Sequence, residues 1–261
     1  MAKIFWDLAG EKFYSTGTKN GVLYTGGRTT NSNKTKYNAG VAWNGLTGVT
    51  ETPGGAEAND NFADDIKYIS LRGAETFNFT IEAFMAPDEW AKCDGQQRVA
   101  GIASFGQQER APFGMMFIST KGNDKDKNLN GFEIHLEYNA TASPSERAYQ
   151  TINENPELLT FSWECTSDPV AAGDSVKKPV SNIIVTCTID NEVLVPDATT
   201  GWKWAAEGDG AQTASDAAKN AYLLYQVLTG TASTAPTLPE PGKVYTILTE
   251  GGDLQTYAEA E

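Results

Sequence analysis

Apolar side chains recur at every second position through much of the chain. Across 131–139, Phe132, Ile134, Leu136 and Tyr138 alternate with Glu133, His135 and Glu137. Across 75–83, Phe77, Phe79 and Ile81 alternate with Asn78, Thr80 and Glu82. Across 159–166, Leu159, Phe161, Trp163 and Cys165 alternate with Thr160, Ser162, Glu164 and Thr166. A period of two puts apolar groups on one face of a strand and polar groups on the other. The same pattern predicts strands at 39–51, 64–72, 113–120, 181–189 and 243–248. It also predicts an N-terminal hairpin, with 12–15 and 21–24 turned by Lys19-Asn20-Gly21.

Helix signals are few. Residues 87–93 open on Pro87, Asp88 and Glu89 and are followed by Gly95, the arrangement of a short capped helix. Residues 215–228 predict a longer one, with Ser215 as cap and Ala221, Leu224, Tyr225 and Leu228 on one face. About eight to ten strands with one or two helices make a mainly β chain, a single-domain β-sandwich or barrel with flanking helices. Residues 1–36 read as an N-terminal arm and hairpin. Residues 37–261 read as the sandwich, with its helix near 215–228, and the whole forms one structural domain.

Charge narrows the classes of partner. The chain has 261 residues with 20 Lys+Arg against 34 Asp+Glu, a net −14. Gripping a phosphate backbone needs clustered cations, and an anionic membrane surface repels such a chain. Apolar runs are too short to span a bilayer as a helix. The start lacks the apolar stretch of a signal peptide. Cys93, Cys165 and Cys187 have no metal-ligand spacing and read as reduced thiols. The charge is also uneven. Residues 1–36 hold six basic and two acidic side chains, a net +4, whereas 37–199 hold 11 and 24, a net −13. A basic stretch on an acidic body permits head-to-tail attraction between copies.

Catalytic and metal signatures are weak. His135 is the only histidine. It reads either as a general base between Glu133 and Glu137 or as a half-exposed strand residue, and no nucleophile motif accompanies it. Acid pairs such as Asp64-Asp65 and Asp88-Glu89 suggest glycoside hydrolysis only faintly in so acidic a chain. The stretch 123–128 invites a calcium reading, but it lacks the glycine and distant glutamate of such a loop and carries two lysines. Trp202 and Trp204, two apart, would share a strand face and permit a carbohydrate-binding surface. No catalytic residue, metal ligand or cofactor is assigned.

An ordered set of segments carries a family resemblance. It runs through Gly40-Val41-Ala42-Trp43-Asn44-Gly45, Pro53-Gly54-Gly55-Ala56-Glu57, Thr80-Ile81-Glu82-Ala83-Phe84 and Pro87-Asp88-Glu89-Trp90. It continues through Phe105-Gly106-Gln107-Gln108, Tyr149-Gln150-Thr151-Ile152-Asn153 and Phe161-Ser162-Trp163, and closes on Leu238-Pro239 with Pro241. This set resembles the major tail tube proteins of long, non-contractile-tailed phages of Gram-positive hosts.

The resemblance implies a non-enzymatic virion protein that assembles in the host cytoplasm into stacked hexameric rings, without membrane binding. In such tubes each subunit lends strands to a continuous inner barrel. The implied partners are other copies, a tape-measure protein, the tail terminator and the distal tail protein, with double-stranded DNA in transit. A lumen lined with carboxylates repels phosphates, and the polar-face candidates are Glu82, Glu133, Glu137 and Glu164. The stretch Pro53, Gly54, Gly55, Ala56, Glu57, Ala58 and Asn59 is the candidate inter-subunit or inter-ring loop. The alternatives are a carbohydrate-binding module or adhesin, a needle-type tube protein of a contractile system, and an acid-pair hydrolase.

Overall fold

The computed structural model describes residues 6–28, 35–55, 57–125, 127–147, 149, 151, 158–172, 178–188, 194–197, 201–204 and 237–250. In chain order the strands are β1 (Phe13–Arg28), β2 (Thr35–Tyr37), β3 (Val41–Trp43), β4 (Leu46–Gly55), β5 (Ala58–Ala63), β6 (Ile66–Arg72) and β7 (Glu75–Ala83). There follow α1 (Trp90–Cys93), β8 (Gln97–Val99), β9 (Ala103–Phe105), β10 (Phe113–Asn123) and β11 (Lys127–Ala142). The last elements are β12 (Phe161–Ser167), β13 (Asn182–Thr188), β14 (Leu194–Asp197), β15 (Gly201–Trp204) and α2 (Pro241–Glu250).

The protein is mainly β. Its large antiparallel sheet follows the path β2-β1-β10-β11-β12-β7-β4, with β3 added to β1 and β13 to β11. The path does not close into a barrel; β2 and β4 are its two ends. It folds over itself at β11. From Phe132 to Tyr138 the even-numbered side chains of β11 enter a first core, shared with Tyr24, Met116, Val185, Leu238 and Val244 of α2. Beyond Asn139, Ala140 and Ala142 enter a second core with Trp43, Phe79, Ile81, Phe113 and Trp163. The exchange happens at a bulge. The β10 register steps from Phe113↔Ala140 to Met115↔Glu137, and Asn139 has φ 46°. One extra residue reverses the faces of a strand, and asparagine tolerates the left-handed region. The Asn139 N–H donates to the Tyr37 hydroxyl at 2.9 Å.

Strand β10 lies between the two cores. Met116 and Ile118 enter the first, and Phe113, Met115 and Phe117 the second. Burial on both faces explains why its apolar residues run on without alternation. The second core centres on three indoles, with ring centroids 4.7 Å apart for Trp43–Trp90 and 5.3 Å for Trp90–Trp163. Asp94, just after α1, is buried and ties this core together. It accepts hydrogen bonds from Trp163 Nε1 at 3.0 Å, Gln96 Nε2 at 2.5 Å and Arg147 Nη2 at 2.9 Å. Gly95, with φ 70°, ends the short helix where the sequence places it.

Three segments differ from expectation. The Lys19-Asn20-Gly21 turn is absent, and β1 continues through it as one strand along β10. The register shifts on either side of Lys19, and Asn20 has φ 53°, so its turn chemistry makes a bulge. Residues 243–248 form part of α2 instead of a strand. Its β-branched residues favour a strand, but Val244 and Leu248 lie one helical turn apart and pack on the first core. The predicted strand at 39–51 is two, β3 and β4, broken at Asn44-Gly45, where Gly45 has φ 76°. The predicted helix at 215–228 lies outside the described residues.

Among the described residues three hairpins form sheets separate from the main one, β5–β6, β8–β9 and β14–β15. Every residue of β5 and β6 is exposed, including Phe62 at 70%, Ile66 at 65% and Tyr68 at 75%. Their turn is Asp64-Asp65, with φ 52° and 61°, the primed type that suits a hairpin.

Candidate functional site

The four predicted glutamates fall on two different surfaces. Glu82 and Glu164 lie on the outer face of the β4–β7–β12 sheet. The apolar partners Val49, Ile81 and Trp163 point to the core, so the residues between them point out. The outer rows are Gly48/Glu82/Ser162, Thr50/Thr80/Glu164 and Thr52/Asn78/Thr166, with Gly54/Thr76 beyond. The face is exposed or half-exposed throughout. It consists of hydroxyls, an amide, glycines and two carboxylates, with no lysine or arginine.

Glu137 sits between the layers, and Glu133 is half-exposed farther along the strand. They share a face of β11 with His135, on the side where Phe117 enters the second core, and β4 meets this polar stripe at His135. His135 Nδ1 is 2.8 Å from Glu51 Oε1 on β4, and its Nε2 is 3.0 Å from Ser119 Oγ on β10. The imidazole stacks on Phe117 at 4.4 Å. Glu133 accepts hydrogen bonds from Ser15 Oγ at 2.8 Å and Thr186 Oγ1 at 3.3 Å and pairs with Lys121 Nζ at 3.7 Å. Glu137 is fully buried, and neither of its carboxyl oxygens has a hydrogen-bond partner. Burial, and then repulsion from Glu51, push its pKa from 4.5 up to about 9. At neutral pH it is a protonated acid.

Ser119, His135 and Glu51 follow the hydrogen-bond order of a hydrolase triad. Their surroundings oppose that chemistry. The Glu133 carboxylate is 3.5 Å from the Ser119 hydroxyl, placing negative charge where an oxyanion would develop. The serine itself is only 8% exposed. The cluster is better described as a hydrogen-bonded clasp holding β4 against β10 and β11. Glu51, its key member, carries no sequence signal, because its partner His135 is 84 positions away.

The predicted contact segment divides between two elements. Pro53, Gly54 and Gly55 end β4, paired with Phe77, Thr76 and Glu75. Gly55 has φ 84°, and a Cβ there would lie 2.4 Å from the Ala74 carbonyl oxygen, so glycine is required at this bend. Ala56 lies outside the described residues. Glu57 leads into the projecting hairpin, in which Ala58 and Asn59 begin β5. A cleft of about 520 Å³ opens at the root of this hairpin, lined by Glu51, residues 53–55, residues 75–77, Pro169 and residues 179–182.

Asp124 accepts the backbone N–H groups of Gly10 at 2.9 Å and Lys12 at 3.3 Å, which fastens the N-terminal segment to the β10–β11 turn. Among the described residues no group of three His, Cys, Asp or Glu side chains is placed to hold a metal ion. Trp202 and Trp204 lie on β15, paired with β14. No described helix is long and apolar enough to cross a membrane.

These features define a mainly β protein with an antiparallel sheet folded into two layers, a bare polar face and projecting apolar hairpins. No family model and no curated protein matches the chain. Among solved structures it is weakly similar to a chain of the anti-feeding prophage baseplate, with TM-score 0.31 and 10% identity over 69% of this chain and 97% of that one. It is also weakly similar to a chain of the extended PVC sheath-tube complex of an extracellular contractile injection system. That match has TM-score 0.27 and 11% identity over 64% of this chain and 90% of that one.

Proposed function

We propose that this chain is a structural subunit of a phage tail tube, assembling into stacked hexameric rings that conduct double-stranded DNA. The observation that carries the reading is the outer face of β4–β7–β12, which fits the wall of the conduit. A duplex is a dense line of phosphates, and a lysine or arginine on the wall would form an ion pair at each passage. A wall of small hydroxyls with Glu82 and Glu164 leaves the DNA hydrated and repels it weakly over about 10 Å. Symmetry turns each carboxylate into a ring of like charges. Glu137 lies behind this wall in the subunit's interior, and Glu133 is half-exposed on a different face of the molecule.

The β5–β6 hairpin supports the same reading. A lone two-stranded hairpin is marginal in water, and this one exposes Phe62, Ile66, Tyr68, Ile69 and Leu71. Such a patch belongs in an interface, and contact with an adjacent copy would bury it. Partners at the ends and inside the tube would be the tail terminator, the distal tail protein and the tape-measure protein.

Negative-stain electron microscopy of the purified protein, alone and with a tail extract, tests the assembly. Rings and tubes of uniform width support it; monomers under every condition refute it. In assembled particles, Glu82→Lys with Glu164→Lys should leave tubes intact and slow DNA ejection. Unchanged ejection kinetics would remove this face from the conduit.

A further inference from the structure

We infer that the cleft at the root of the β5–β6 hairpin is a socket for a lysine side chain from the N-terminal strands of a second copy. This inference rests on the assembly reading above and specifies one of its side-to-side contacts. The cleft has an apolar lining of Pro53, Phe77, Pro169, Pro179 and Val180 and carries the carboxylates of Glu51 and Glu75, with no cation among its lining residues. Beside it lies Glu137, whose cross-strand partner Asn182 lines the cleft. The charge of Glu51 acts on Glu137 directly. A fully buried carboxyl without a single donor is an exception in folded proteins, because each unsatisfied buried group costs about 1–3 kcal/mol. Two carboxylates, Glu51 and Glu75, therefore line the cleft with the uncharged carboxyl of Glu137 behind them, and among the described residues the nearby base is His135, which is already engaged by Glu51 and Ser119.

The topology indicates where the missing cation comes from. β4, which brings Glu51 to the cleft, is one end of the sheet path, and β2 is the other. Strands β1 and β2 belong to the basic stretch of the chain, with Lys19 and Lys36 exposed. Copies standing side by side in the same orientation bring the basic end of one sheet to the acidic end of the next. Contact between two different surfaces repeats around a circle and closes a ring when the rotation allows it. The opposite charges at the two ends favour that order over its reversal.

Zero-length carbodiimide coupling of assembled protein tests the contact. Assemblies made from equal parts of light and isotopically heavy subunits separate links between copies from links within one. The expected products are light–heavy links from Glu51 or Glu75 to a lysine within residues 1–36, Lys19 or Lys36 first. Glu51→Gln with Glu75→Gln should raise the subunit concentration needed for assembly by about tenfold, the equivalent of 1.4 kcal/mol, while far-UV circular dichroism stays unchanged. Rings that form normally but give no such links, or link these carboxylates only elsewhere, overturn the socket and leave the tube standing. Absence of rings altogether refutes the assembly reading, and the socket falls with it.

Discussion

Replacing Glu137 by glutamine should free the protein of a pH-dependent load on its stability. In the folded chain the carboxyl is fully buried without a partner, and its pKa is raised from 4.5 to about 9. Unfolding returns it to water and to its ordinary value. Between these two values the folded state binds the proton and the unfolded state does not, so stability falls as pH rises. The slope approaches 1.4 kcal/mol per pH unit, and from pH 5 to pH 8 the loss is roughly 3–4 kcal/mol. Stability from this group is fully present below pH 4.5 and lost as pH climbs toward 9. Glutamine is an uncharged stand-in of the same shape and has no such slope. The assay is thermal or urea unfolding of wild type and Glu137→Gln at pH 5, 6, 7 and 8. The difference between the proteins isolates this residue, because every other group is common to both. Near pH 5 the two should agree within about 1 kcal/mol. At pH 8 the variant should be more stable by roughly 3 kcal/mol, or about 6–12 °C in melting temperature. Parallel curves across this range would show that Glu137 is not held protonated and would refute the argument.

Two further outcomes follow from the packing. Asp94→Ala removes the acceptor of Trp163 Nε1 and Gln96 Nε2 and leaves the Arg147 guanidinium without its partner; urea unfolding should show a loss of about 3–5 kcal/mol. Ile66→Ser with Leu71→Ser changes two exposed hairpin residues. It should leave the melting temperature within a degree or two and abolish ring formation in electron micrographs, and normal rings would take the hairpin out of the subunit contacts.

The strands easiest to read in the sequence are those with one wet face. β7 and β12 alternate cleanly, and their polar residues Glu82 and Glu164 are exposed as the alternation implies. β11 alternates equally well, yet its polar residues His135 and Glu137 are covered. Period two reports that the two faces differ; it does not report what lies over them. Here the cover is β4, and the link is made between Glu51 and His135. Local chemistry was ambiguous where tertiary packing chose between uses of one motif. Asn20-Gly21 makes a bulge because β10 is long enough to pair on both sides of it. The β-branched stretch 243–248 becomes helical because its apolar residues meet a sheet face instead of a sheet edge. Half of the exposed hairpin was legible, as a strand at 64–72, whereas the start of β5 reads as part of a loop. The hairpin's lack of cover belongs to tertiary structure and leaves no mark in the sequence pattern.

The bulge at Asn139 gives the fold an odd–even arithmetic. Upstream of it the first core draws on even-numbered residues of β11; downstream the second core draws on even-numbered residues as well, although the layer has changed sides. A change of side chain at 139 leaves that parity intact. Removing the residue restores plain alternation: Tyr138 would still face the first core and Ala140, opposite Phe113, the second, and the Asn139 N–H bond to Tyr37 would be lost. Families of such chains should therefore gain or lose a residue at this position more readily than elsewhere in β11, where a single insertion or deletion would exchange the faces that meet the two cores.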